Sequence, residues 1–156
     1  MKGKILPVSF FTRSDVAIIA KELLGKCLAT NFDGNLTVLR IVESEAYYGI
    51  VDKASHAYNN RKTNRTKIMY EKGGVAYVYI CYGIHAMFNI VTNIEDTPHA
   101  ILIRAGEPLI GLAKMMERTC KKENDFSISR GPGNVCKALG IHTGHTGLSL
   151  INNEIY

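Results

Sequence analysis

A chain of 156 residues with 46% apolar residues is the size of one domain, long enough to bury a core and too apolar to be disordered. Nineteen Lys+Arg against fourteen Asp+Glu give a formal net charge of +5 and a pI near 9.0, which suits a polyanionic partner without specifying one. No apolar run approaches the ~20 residues of a membrane span. Pro7, Ser9, Arg13 and Asp15 interrupt any leader pattern, and Cys27, Cys81, Cys120 and Cys136 form no Cys-x-x-Cys pair, so a reduced cytoplasmic protein is expected.

Along the chain, Ser14 is the expected cap of a helix carrying Val16, Ile19 and Leu23, with Gly25 at its stop. A strand over 26–30 leads to the hairpin signal Asp33-Gly34, then to a long strand, 36–46, rich in Val, Ile and Leu and acidic at its end. Residues 52–64 read as polar and irregular, and 66–71 as a short helix broken by Gly73-Gly74. Two strands, 75–80 and 84–92, pair around a bend at Cys81-Tyr82-Gly83, and 100–105 is another strand. Glu107-Pro108 is expected to open a helix with Leu109, Leu112, Ala113 and Met116 at helical spacing. Gly131-Pro132-Gly133 opens a second, running to Leu139 with Gly140 past its end. The end reads as a strand over 148–151, a turn at Asn152-Asn153, and a cut-short return arm, Glu154-Ile155-Tyr156.

Several residues carry chemistry. Glu43 and Glu45, two apart on a strand, share a face, and either could activate a water; solvated strand-end charges are the ordinary alternative, and spacing does not choose between the two. Arg61, Lys62, Arg65 and Lys67, with Lys72 beyond, interleave with Asn59, Asn60, Thr63 and Thr66, a set suited to phosphate contacts as well as to a solvated loop. Tyr77 and Tyr79 face away from Val78 and Ile80, and Tyr82, a large aromatic at a bend before Gly83, has the form of a wedge between base steps. His56 is a lone loop histidine, Arg104 a strand-end partner for a carboxylate, and the helix start at Gly131-Pro132 a seat for phosphate. His142 and His145 are a faint metal pair, and no metal or other cofactor is expected. The residues alone leave open an enzyme acting on a nucleic-acid base, a non-catalytic nucleic-acid-binding module and a sugar hydrolase using both carboxylates, the last poorly matched to the basic run.

Taken in order, Arg40-Ile41-Val42-Glu43-Ser44-Glu45-Ala46-Tyr47, the Ser55-His56 pair, the basic stretch, Tyr77-Val78-Tyr79 with Tyr82-Gly83, Asn89, Arg104-Ala105 and Gly131-Pro132 resemble the alkyladenine (3-methyladenine) DNA glycosylases. The resemblance runs from about Phe11 to Leu150. It implies one α+β domain over 1–156, an antiparallel β-sheet wrapped by helices with a protruding β-hairpin. It also implies a monofunctional, monomeric enzyme that excises 3-methyladenine and 7-methylguanine from damaged double-stranded DNA, with hypoxanthine or ethenoadenine as further candidates. By position, Glu45 resembles the general base and Arg104 the arginine that helps place the water. Tyr47, His56 and Tyr79 resemble the walls of the base pocket, and Asn89 the residue that crowds guanine's amine. Tyr82 resembles the intercalating wedge; Arg61, Lys62, Arg65, Lys67 and Gly131 are expected on the DNA backbone. A bacterial-type, nucleoid-associated cytoplasmic location goes with this. Arg65-Thr66 stands where the family commonly shows Arg-Asn, and the family usually continues beyond Tyr156, so a C-terminally short form is expected.

Overall fold

Segments rich in β-branched and aromatic residues form the strands, and the computed structural model, which describes residues 4–152 and 154–156, assembles them into one antiparallel sheet. The strands are β1 (Cys27–Phe32), β2 (Asn35–Tyr47), β3 (Ala76–Cys81), β4 (His85–Thr92) and β5 (His99–Ile110), ordered β1-β2-β5-β4-β3. The helices are α1 (Val8–Phe11), α2 (Val16–Leu23), α3 (Leu112–Thr119) and α4 (Pro132–Leu139). The architecture is α+β, as the resemblance implies.

Strand alternation divides the residues between two faces. Leu39, Ile41, Val78, Phe88, Ile90, Ile101 and Ile103 pack with Val16, Ile19 and Leu23 of α2 and Val135, Ala138 and Leu139 of α4. Tyr77, Val91 and Ala100, from the other face, cluster with Ala57, Met69 and Tyr70 of the connection between β2 and β3. That connection is irregular, with single turns of 3₁₀ helix at Gly49–Val51, Tyr58–Asn60 and Lys67–Tyr70.

Four expectations need correction. The cap of α2 is Asp15 rather than Ser14: its Oδ1 accepts from the N–H groups of Ala17 (2.9 Å) and Ile18 (3.1 Å), placing a negative charge at the helix start. Glu107-Pro108 does not open a helix. Strand β5 continues to Ile110 because β2 is long enough to pair with it, Arg40 opposite Glu107 and Leu39 opposite Pro108, and α3 begins only after Gly111. Gly111 has φ +79°, and a Cβ there would stand 2.5 Å from the Leu36 carbonyl oxygen, so this junction requires glycine.

The segment 148–151 makes only a bridge, Ser149 to Val75, rather than a strand. Nor is Glu154–Tyr156 its return arm. Ala29 N–H donates to the Tyr156 carbonyl (2.7 Å), Tyr156 N–H returns the bond (3.0 Å), and Ile155 is fully buried, so the terminal residues pair with β1. The expected Asn152-Asn153 turn includes Asn153, which lies outside the described residues.

Candidate active site

A β-bulge aims the acidic end of β2. Leu39 and Ile41 point into the helix-covered core, and strict alternation would send Glu43 and Glu45 there too. The register with β5 instead slips at Val42: Ile41 opposes Gly106 while Glu43 opposes Ala105. Beyond the slip, Ser44 and Ala46 take the core side, where Ser44 Oγ donates to the Ala20 carbonyl (3.0 Å), and Glu43, Glu45 and Tyr47 turn to the opposite face. A second irregularity lies at Arg104, which is left without an opposite residue between Glu43–Ala105 and Ser44–Ile103. One row of opposed residues then crosses four strands: Glu45, Leu102, Asn89 and Tyr77.

Arg104 bridges the two carboxylates. Its Nη1 donates to Glu45 Oε2 (2.8 Å) and its Nε to Glu43 Oε1 (2.9 Å). Tyr47 Oη donates to the other oxygen of Glu45, Oε1 (2.8 Å). Burial, reinforced by the hydrogen bond to Glu45, pushes the Tyr47 phenol well above its ordinary value, so it remains a proton-bearing donor. The two carboxylates raise the Arg104 guanidinium further still. Their surroundings differ: Glu45 lies beside the aromatic cleft, whereas Glu43 lines a separate groove of about 600 Å³ with Glu107, Leu112, Phe126 and Ile128. The groove is much the larger space, but the cleft holds the aromatic faces.

The cleft is walled by Tyr47, His56, Met69, Tyr77, Tyr79 and Asn89, with Ala54, Ser55 and Ala100 completing its lining. His56 meets Tyr79 edge to face, with ring centroids 4.5 Å apart, and its Nδ1 lies 2.9 Å from Tyr77 Oη. Burial first, then the charges of Arg65 and Arg61, hold the His56 imidazole below its ordinary value. Arg65 stands over the Tyr79 ring, 5.0 Å from its centroid. Asn89 is buried, its amide donating to the carbonyls of Tyr77 and Met87 (both 3.3 Å). The free space within the cleft is about 30 Å³, roughly one water's share of liquid volume. Tyr77 and Met69 are wall residues that the sequence reading did not select. Tyr77 had a signal, its shared face with Tyr79; Met69 had none.

At the far end of β3 and β4, the hairpin turn places Tyr82 (φ +51°) and Gly83 (φ +74°) in the left-handed region, the pattern of a type I′ turn. Tyr82 is 91% exposed and Ile84 72%. Gly131 caps α4 with open space around it, and Gly133 lies against His85 at the base of the hairpin. In the basic run, Arg61, Arg65 and Lys67 are exposed, while Lys62 pairs with Asp96 (3.3 Å) and lies 4.8 Å from the centroid of the Tyr70 ring. Of the interleaved threonines, Thr63 is exposed, whereas Thr66 is buried, donates to the Arg61 carbonyl (2.7 Å) and accepts from Thr63 N–H (2.8 Å), so it shapes the loop and is not open to phosphate. His142 and His145 accept from local backbone N–H groups, and among the described residues no three His, Cys, Asp or Glu side chains cluster as metal ligands.

An aromatic cleft beside a fixed carboxylate, with a protruding aromatic hairpin and exposed basic residues, defines a protein that handles bases of a nucleic acid. The chain belongs to the methylpurine-DNA glycosylase family, whose profile matches residues 9–156. A relative from Chlamydia felis is 47% identical over 97% of this chain and 79% of its own length. One from Natranaerobius thermophilus is 44% identical over 97% and 77%, and one from Chlamydia pneumoniae 49% identical over 88% and 70%. All three are provisionally named 3-methyladenine DNA glycosylase. The protein is thus, by family, a DNA glycosylase. No helix among the described residues is long and apolar enough to cross a membrane.

Proposed function

We propose that this protein is a monofunctional glycosylase that releases 3-methyladenine and 7-methylguanine from duplex DNA by base flipping and water attack, with hypoxanthine and ethenoadenine as further substrates to test. The observation that carries this reading is the Glu45 carboxylate, held by Arg104 and Tyr47 beside the aromatic cleft. Basic side chains at Arg61, Lys62, Arg65 and Lys67, and the N–H groups of the α4 start at Gly131, hold the phosphates. The target nucleotide rotates out of the stack at a cost of a few kcal/mol. Tyr82 fills the gap it leaves, which offsets part of that cost.

The extruded base stacks among Tyr47, His56 and Tyr79. A 3- or 7-alkylated purine is cationic, and the electron-rich faces favour it over neutral bases by roughly 0.5–2 kcal/mol per contact. Asn89, locked by two carbonyl acceptors, crowds the exocyclic amine of normal guanine. Glu45 accepts a proton from a water that Arg104 helps to place, and the water oxygen bonds to the sugar C1′. The C1′–N bond breaks, and its electron pair leaves with the base, quenching the positive charge. Water is the nucleophile, so no enzyme amine is consumed and the product is an abasic site in an uncut strand. The 156 residues act as one domain and as a monomer in the cytoplasm.

The test is release of 3-methyladenine from methylated duplex DNA by wild type and Glu45→Gln. Release by wild type and none by the folded variant is the expected result. Equal release by both removes Glu45 from the mechanism. DNA binding with no release by wild type would leave a non-catalytic binding role.

A further inference from the structure

Two carboxylates share one guanidinium beside the cleft, and the mechanism above uses only one of them. Glu43 is not a core residue: its side chain is 54% exposed, and ion pairs at such exposure contribute little to stability. On DNA it is a liability, because a negative charge on the face that presents Glu45 repels phosphates. The bulge at Val42 nonetheless turns Glu43 to that face, within 2.9 Å of Arg104 Nε.

We propose that Glu43 is a positioning residue for base excision, holding Arg104 by its Nε so that the guanidinium meets Glu45 through the single nitrogen Nη1. The inference rests on the reading of Glu45 as the base. An arginine facing one free carboxylate tends to grip it with two parallel N–H donors, one on each oxygen. Glu45 already gives one oxygen to Tyr47 and the other to Arg104 Nη1. A two-pronged grip would put Arg104 in competition with both Tyr47 and the attacking water for the Oε1 side. With Nε tied to Glu43, the guanidinium is turned so that it orients Glu45 without covering it. Glu43 touches neither base nor water and acts only through Arg104.

The test compares wild type, Glu43→Ala and Glu43→Gln in two measurements: single-turnover release of 7-methylguanine at saturating enzyme, and equilibrium binding to a duplex carrying an uncleavable abasic-site analogue. Glu43→Ala lowers the excision rate by roughly ten- to a hundredfold, the scale of an ångström-sized misplacement, while binding stays equal or tightens because a repulsive charge is gone. Glu43→Gln keeps most of the rate, since its amide oxygen still accepts from Arg104 Nε. A wild-type rate in Glu43→Ala, an equal fall in both variants, or a loss confined to binding overturns the proposal. Glu45→Gln runs alongside: if it excises as fast as wild type, the reading of Glu45 fails, and the positioning role with it, whatever the Glu43 variants do.

Discussion

The two faces of the sheet are built from the same five strands and do different work. The helix-covered face is apolar: Ile101, Phe88 and Val135 are fully excluded from water, and the Cys136 thiol on that side is pushed up to about 12 by burial. The opposite face places Glu45, Tyr47, His56, Tyr77, Tyr79 and Asn89 around a cleft. Stability should therefore be concentrated on one face and chemistry on the other, with the bulge at Val42 deciding which face receives the carboxylates.

The sharpest way to break this division is to exchange one residue on each face. Glu45→Gln should lower excision by roughly 10²–10⁴-fold, the range for loss of a general base, and leave the thermal midpoint nearly unchanged. Phe88→Ala, at a site with no exposure, should cost about 3–5 kcal/mol of stability in urea titrations, while the variant that remains folded keeps its excision rate. If Phe88→Ala abolished the rate of the folded fraction, or Glu45→Gln unfolded the protein, the two faces would not be separable.

The hairpin tip offers a second test of the division. Tyr82 holds a left-handed backbone with 91% exposure, so nothing in the free protein repays its conformation. Asparagine tolerates that region much better than tyrosine. Tyr82→Asn should therefore hold or raise stability by up to ~1 kcal/mol while weakening binding to lesion-bearing duplex and slowing excision. A variant less stable than wild type with unchanged excision would mean that Tyr82 is a packing residue.

Legibility in the sequence followed the same division. The strands declared themselves through β-branched runs and through turn chemistry such as Asp33-Gly34, whose φ values of +53° and +75° fit the hairpin. What failed were features decided by a distant partner. Pro108 reads as a helix start until the length of β2 holds it in a ladder, and Ile155 reads as a stub until β1 takes it as an edge partner. The candidate site was legible as an ordered set of residues resembling a family, not from spacing: Glu43 and Glu45 do share a face, but only the unheralded bulge at Val42 decides which one. The cleft also drew in Met69 through a tertiary contact, which no local pattern displays, whereas Tyr77 was signalled by the face it shares with Tyr79.

Acid sharpens the comparison with the smallest effect. His56, His99 and His145 are all held below the ordinary imidazole value, in each case chiefly by burial, and one of them lies in the cleft, His56 against Tyr79, while His99 sits with Asn93 and Tyr48 by the start of α2. Between about pH 6.5, where a free imidazole titrates, and the lower native values, the unfolded chain binds more protons than the folded one. Stability therefore rises with pH in that window, and the contribution of the neutral histidines is lost as pH falls through their native values. The depressed carboxylates Asp15, Glu22 and Asp125 act with the same sign but only nearer pH ~4, and Cys136 stays neutral throughout, so the upper window belongs to imidazole. Urea midpoints at pH 7.5, 6.5 and 5.5 should decline in that order, and His56→Gln, which keeps a partner for Tyr77, should flatten the decline. A slope untouched by His56→Gln would move the acid sensitivity away from the cleft, and a midpoint that rose on acidification would contradict the lowered imidazoles of all three.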